Sequence, residues 1–194
     1  MDKDATAQLP DFPLRTGDVL LSSTAAALRP AKRSDLPFLC LLYRSFRLGE
    51  LEQAPWSLQE KQAFLDQQFS LQHRYYTTVF SPADFLIIEK DGMRIGRLYI
   101  DLSAAKWLVI DIGLLPEWRG RGLGFAILRD IQDAMTATAG LGIALHVDNT
   151  NMRAQKLYQS LGFEVTEATE THTGMEWLPQ KALRRMMDST ANIN

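Results

Sequence analysis

The chain has 194 residues, 46% hydrophobic and 23% charged, which is the balance of one ordinary globular domain and excludes disorder throughout. A formal charge of −2 and a pI near 5.9 offer no global attraction to nucleic acid or to an anionic membrane. Cys40 is the only cysteine, so no intrachain disulfide forms, and its setting in Phe38-Leu39-Cys40-Leu41-Leu42 reads as core packing. No segment has the ~20 apolar residues that span a bilayer, and Met1-Asp2-Lys3-Asp4 lacks the basic-then-apolar order of a signal peptide. The expected location is the cytoplasm, and no metal site is expected.

In chain order, residues 1–23 carry Pro10 and Pro13 and little periodicity, so they read as an arm laid on the domain, with Val19 to Leu21 able to add a short strand. Thr24 to Arg29 reads as a strand ended by Pro30. Leu36, Leu39, Leu42, Tyr43 and Phe46 then recur at helical spacing and predict a helix over Asp35 to Phe46. Ser57-Leu58-Gln59-Glu60 is a capping-box pattern opening a longer helix, expected to fray between His73 and Phe80. Phe85 to Lys90 and Arg94 to Asp101 are strand-like and flank Asp91-Gly92, a hairpin signal. Trp107 to Leu115 and Gly142 to Val147 predict two more strands around a helix over Phe125 to Ala137. A helix over Asn151 to Leu161 with Gly162 as its C-cap precedes closing strands at Phe163 to Ala168 and Gly174 to Leu178. The expected fold is one α/β domain over 24–194 with a mixed central sheet and no internal repeat.

Arg119-Gly120-Arg121-Gly122-Leu123-Gly124 joins the strand Trp107 to Leu115 to the helix that follows. Its glycines let the backbone turn tightly and approach a ligand, and the helix start aims unpaired N–H groups at the turn. Two arginines add charge suited to a pyrophosphate. A Walker loop is excluded because Phe125-Ala126 stands where Lys-Ser/Thr is needed. A dinucleotide fingerprint is disfavoured because Phe125 occupies the place of the third small residue and no βαβ series precedes it. The stretch reads as the cradle of a phosphate-bearing cofactor, against the plainer reading of a turn that merely starts a helix.

These residues resemble the GNAT superfamily of N-acetyltransferases. Arg119, Gly122 and Gly124 match its Gln/Arg-x-x-Gly-x-Gly/Ala motif, and Asn151, Ala154, Tyr158, Gly162 and Phe163 match its second motif. The resemblance covers roughly Thr24 to Pro179, weakly before Phe85. It implies a central sheet splayed between the strands Trp107 to Leu115 and Gly142 to Val147, with acetyl-CoA in the gap as cosubstrate. It further implies that the pantetheine arm pairs with the backbone of Ile112, Gly113 and Leu114. Gly120, Arg121, Gly122, Leu123, Gly124 and Phe125 would offer amides to the pyrophosphate, and Arg119 its charge. Asn151 matches a position that bonds the cofactor arm, and it equally suits an N-cap.

Acetyl transfer from a thioester to an amine needs a neutral amine and a proton for the departing thiolate. Tyr158 matches the family's proton donor. Two residues are candidates for the base. His146 lies where ribosomal-protein N-terminal acetyltransferases of the family carry a Glu, and Asp111 is a lone carboxylate within Val109-Ile110-Asp111-Ile112, where burial would favour its protonated form. The resemblance implies acceptor selection by the first two helices and the closing hairpin, which offer Arg47, Glu50, Glu52, Trp56, Gln68, Gln72, Arg74, Tyr75 and Tyr76. The resulting expectation is an N-acetyltransferase acting on a small-molecule or peptide amine, with no nucleic-acid or membrane partner and with homodimer formation open. A catalytically silent acyl-CoA-binding sensor or scaffold is the alternative. A toxin-like enzyme acting on aminoacyl-tRNA is disfavoured by the acidic pI.

Overall fold

The computed structural model describes residues 8–13, 21–138 and 140–180. Its strands are β1 (Ala27–Pro30), β2 (Asp84–Lys90), β3 (Met93–Asp101), β4 (Lys106–Leu114), β5 (Gly142–Asp148), β6 (Glu164–Ala168) and β7 (His172–Trp177). They form one seven-stranded sheet in the order β1-β2-β3-β4-β5-β7-β6. Every neighbouring pair is antiparallel except β4 with β5. A parallel pair needs a crossover, and α3 (Leu123–Ala137) supplies it. The other helices are α1 (Leu36–Arg47), α2 (Leu58–Val79) and α4 (Met152–Ser160).

Strand β2 shows why the sheet is covered on both sides. Phe85 and Ile87 pack with α1 and α2, among Leu39, Leu42, Leu65 and Phe69. Leu86 and Ile88 point the other way, into a cluster with Ile127, Leu128, Ile131 and Met135 of α3 and Tyr158 of α4. Alternate residues of a strand face opposite sides of its sheet, so a strand buried on both faces is apolar at every position. The Asp91-Gly92 hairpin forms as its residues require, with both φ angles positive, 51° and 75°.

Helix α2 opens with the capping box: the Ser57 hydroxyl accepts the Glu60 amide, and the Glu60 carboxylate accepts the Ser57 amide at 2.7 Å. It continues to Val79, through the stretch where fraying is expected from sequence. The reason is a ridge of buried residues at spacing four, Leu65, Phe69, His73 and Thr77, in which two polar residues replace the apolar signal that periodicity looks for. Cys40 is buried beside α2; its thiol donates to Asp66 at 3.1 Å, and burial pushes its pKa up to about 12. That is a packing thiol, protonated at neutral pH.

The N-terminal arm is tied in more closely than its composition suggests. Leu9 and Phe12 are buried in the α1/α2 core, with the Phe12 ring edge-on to His73 at 5.0 Å. The backbone carbonyls of Gln8, Leu9 and Pro10 accept from Arg74, Arg33 and His73. Leu21 is buried in the other cluster. Most of the short strand expected at Val19 to Leu21 lies outside the described residues.

The feature that makes the site is the parting of β4 from β5. Their pairing runs from Lys106–Gly142 to Val109–Leu145 and stops. On its other edge β4 carries one extra residue: Val109 faces Ile100 and Asp111 faces Tyr99, leaving Ile110 as a β-bulge. A bulge bends its strand and turns two successive side chains to one side. Accordingly Ile110 packs against the α1/α2 core, and Asp111, the next residue, contacts Arg97 and Tyr76 on the same side. Beyond the bulge, β4 from Ile112 to Leu114 has an edge that β5 does not cover.

Candidate active site

A cleft of about 560 Å³ opens where the strands part, within the range of a small-molecule site. It is lined by Ile112, Gly113 and Leu114 of β4, by Arg119, Gly120 and Gly122 of the turn, and by Leu123, Gly124 and Phe125 of α3. Asn151 and Tyr158 of the α4 segment and Phe46 of α1 also line it. Most residues singled out from the sequence thus meet in one cavity. Arg121, His146 and Asp111 are not among those that line it.

The turn has the backbone that anion binding needs. Gly120 and Gly122 have φ of 74° and 77°, a region that side chains with a Cβ avoid. Gly122 is also the N-cap of α3 and contributes no side-chain cap, whereas α2 and α4 are closed by Ser57 and Asn151. The first amides of α3 are therefore left without a capping side chain beside the cleft, at the positive end of the helix dipole. A Cβ built on Gly122 meets nothing within 4 Å, so the space over this turn is open.

The turn's arginines are placed differently from what their sequence suggests. Arg119 is turned inward: its Nε donates to the Leu114 carbonyl at 2.7 Å, and its guanidinium lies 5.1 Å from the Phe46 ring centre. It staples the turn to the end of β4, leaving its Nη2 buried without a partner. Burial lowers its pKa, and the neighbouring charge of Arg153 lowers it further. Arg121 stacks on Trp118, 5.3 Å from the ring centre, outside the cleft lining.

Tyr158 is 7% exposed and its ring lies 5.8 Å from Phe163. Burial, and secondarily the charge of Asp111, raises its pKa, so it holds its proton throughout the neutral range. Among the described residues no group hydrogen-bonds its hydroxyl, which leaves it free to donate into the cleft it lines. Asn151 is the N-cap of α4: its Oδ1 accepts the Ala154 amide at 3.1 Å, which leaves its Nδ2 donor for a ligand.

Asp111 belongs to a polar ring on the α1/α2 side of the sheet. Arg97, fully buried, donates to both its carboxylate oxygens, Nε at 3.1 Å and Nη2 at 2.6 Å. Gln72 accepts from the same Nη2 at 3.0 Å, and Tyr76 closes the ring with its hydroxyl 3.5 Å from Asp111. Instead of the lone carboxylate expected from sequence, Asp111 is the counterion of a buried guanidinium. His146 is exposed on β5, with its Nε2 3.6 Å from where a Cβ on Gly174 would sit. Of the acceptor-side residues, Arg47 and Glu50 line the cleft and pair with each other at 2.9 Å. Arg74 is taken up by the arm, and Trp56 packs on Phe64 away from the cleft.

Among the lining residues that the sequence reading does not assign to the site are Phe46, Trp118 and Arg153. Phe46 carries no local signal for the site; the structure sets its ring against Gly113, where a Cβ would sit 2.3 Å from its Cζ. Arg153 does carry one, because a cation in the first turn of a helix opposes the helix dipole and calls for a compensating anion.

Residues 46–163, more than half of the chain, match the model of the acetyltransferase (GNAT) family. The chain belongs to that family. A mycothiol acetyltransferase of Acidimicrobium ferrooxidans is 33% identical over 141 residues, 66% of this chain and 45% of the relative. Another from Thermobifida fusca is 29% identical over 189 residues, 81% of this chain and 53% of the relative. The chain therefore spans about half the length of these curated relatives. Among solved structures, the PaiA N-acetyltransferase of Thermoplasma acidophilum in complex with coenzyme A has a TM-score of 0.60 at 19% identity, covering 79% of this chain and 99% of that one. Apo FdhC, described as a nucleotide-linked sugar GNAT, has a TM-score of 0.61 at 11% identity, covering 90% and 98%. At such identities these structures establish the shared fold. GNAT enzymes use acetyl-CoA, and the residues present fit it: uncapped amides at α3, a free strand edge from Ile112 to Leu114, and an orphaned Arg119 Nη2. Among the described residues no helix is long and apolar enough to cross a membrane.

Proposed function

We propose that the chain transfers an acetyl group directly from acetyl-CoA to a primary amine of a small molecule or a peptide. The observation that carries this reading is that Tyr158, a buried phenol that keeps its proton, lines the same cleft as the glycine turn and the free edge of β4. Acetyl-CoA supplies the activated carbonyl. The chain's amides at Ile112 to Leu114 hold the extended amide-rich arm as a strand would, and those at the start of α3 hold the diphosphate.

Magnitudes define what Tyr158 does. A thiol near pKa 8.5 is a stronger acid than a phenol near 10, so full proton transfer from Tyr158 to a thiolate is uphill by about 2 kcal/mol before burial is counted. Tyr158 therefore stabilises charge developing on sulfur by hydrogen bonding and keeps its proton, and the proton that neutralises the departing thiolate is the one the amine gives up. At pH 7 an alkyl amine of pKa about 10.4 is neutral in roughly one molecule in a few thousand. A base or a water chain is useful for that step; Asp111 and His146 remain the residues proposed for it, each reaching the amine through water because neither lines the cleft.

That same placement favours the second reading, a silent acyl-CoA-binding sensor or scaffold. The names of the mycothiol acetyltransferase relatives support a thiol-bearing or amine acceptor. A panel of amines assayed for release of free CoA tests the enzyme, with acceptor-dependent release as the expected result. Tight acetyl-CoA binding by calorimetry with no release from any amine would replace the enzyme with the sensor.

A further inference from the structure

Arg153 stands in the first turn of α4, where the dipole is unfavourable to a cation and where no acidic residue accompanies it. It is exposed and lines the cleft, and among the described residues it has no ion pair. Its Nη2 lies 3.1 Å from the position a Cβ on Gly120 would take, so the side chain reaches from α4 across to the glycine turn. There it faces Arg119, whose own Nη2 is buried without a partner. Two guanidinium groups thus lie at one turn, and among the described residues no carboxylate is in hydrogen-bonding contact with either. The uncapped amides of α3 lie beside them. A polyanion resolves all of these at once. Arg121, the other cation of the turn, is engaged on Trp118 and is outside the cleft.

We propose that Arg153 is the side-chain anchor of the CoA diphosphate, closing the glycine cradle from α4 and making the site selective for CoA thioesters over thioesters that lack a diphosphate. This rests on the proposed use of acetyl-CoA. The backbone amides of the turn position the diphosphate; Arg153 adds the charge-assisted contact that Arg119 and Arg121 are not placed to give. A planar fork can bridge two phosphate oxygens, which an ammonium cannot, so Lys is only a partial substitute.

The test is calorimetric binding of acetyl-CoA, acetyl-dephospho-CoA and S-acetyl-pantetheine to the wild-type chain, Arg153→Gln and Arg153→Lys. Arg153→Gln is expected to weaken acetyl-CoA and acetyl-dephospho-CoA alike by about 10- to 50-fold. It should leave acetyl-pantetheine unchanged and flatten the salt dependence of binding, with Arg153→Lys recovering part of the loss. Equal loss for all three ligands would make Arg153 merely structural and overturn the proposal. So would loss confined to acetyl-CoA, which places the contact on the 3′-phosphate, and so would unchanged affinity in Arg153→Gln. Failure of the wild-type chain to bind acetyl-CoA would instead remove the proposed function on which this rests.

Discussion

The two sides of the sheet at the parting of β4 and β5 are built from different materials. On the side of α3 and α4 the cleft is made of backbone: free amides, a strand edge and glycines whose positive φ angles open space. On the side of α1 and α2, behind β4 and outside the cleft lining, stands a ring of long side chains from three elements, Gln72 and Tyr76 of α2, Arg97 of β3 and Asp111 of β4. Backbone donors suit a ligand part common to a whole family of substrates, because any sequence of suitable turn residues supplies them. A side-chain ring specifies, because each member must be present for the others to be satisfied.

The sharpest way to break this contrast is at Tyr158, which belongs to the backbone-built side yet acts through its side chain. Tyr158→Phe keeps shape and burial and deletes the hydroxyl. Turnover is expected to fall roughly 10²–10⁴-fold while acetyl-CoA affinity stays near wild type. Wild-type turnover in this variant would overturn the proposed chemistry.

On the opposite side the prediction concerns stability. Asp111→Ala leaves the buried Arg97 guanidinium without its counterion and is expected to cost about 3–5 kcal/mol in chemical unfolding. Replacing the pair together, Arg97→Met with Asp111→Leu, should recover most of it, because a buried ion pair is commonly no more stabilising than apolar residues of its volume. If the double variant is as unstable as the single one, the ring contributes more than charge compensation.

At the turn, Gly122→Val imposes a β-branched residue where φ is 77° and adds bulk over open cleft space. Acetyl-CoA affinity should drop by about 10-fold or more, while thermal unfolding shifts only by the strain of one left-handed residue, about 1–2 kcal/mol. Unchanged affinity would remove the cradle from the site.

These expectations differ in how visible their grounds are in the sequence. The cradle is legible because a local spacing of glycines between a strand and a helix has few other uses, and the α4 motif is legible for the same reason. The ring is not, since Gln72, Arg97 and Asp111 lie far apart in the chain and meet only through sheet register and helix packing. Asp111 looked solitary because its partner lies on the adjacent strand, two residues from the one that faces it. The sequence of helix α2 predicts fraying where His73 and Thr77, buried but polar, hide its inner face.

His73 gives the smallest of the expected effects. Burial lowers its pKa below the ordinary value near 6.5, against the opposing pull of the Pro10 carbonyl that its Nε2 donates to at 2.9 Å. The folded state therefore binds fewer protons than the unfolded chain, so this contribution to stability is complete above about pH 6.5 and is lost as pH falls below it. A shallower loss of stability between about pH 7 and 5 in His73→Gln, read by urea unfolding, is the expected result; an unchanged slope would assign that acid sensitivity to other groups.

The bulge at Ile110 has a consequence for how such a ring arises. By simple alternation Asp111 would follow Val109 toward α3 and α4, into an apolar layer with no cation to meet it. One residue more on β4 than on β3 inverts that assignment and hands the carboxylate to Arg97. With Ile110 in the strand, the ring thus depends on the bulge as well as on its side chains. Deleting Ile110 would remove the bulge and still leave Asp111 opposite Tyr99 on the face of Arg97, whereas straightening β4 with Ile110 retained would carry the carboxylate to the side of α3 and α4.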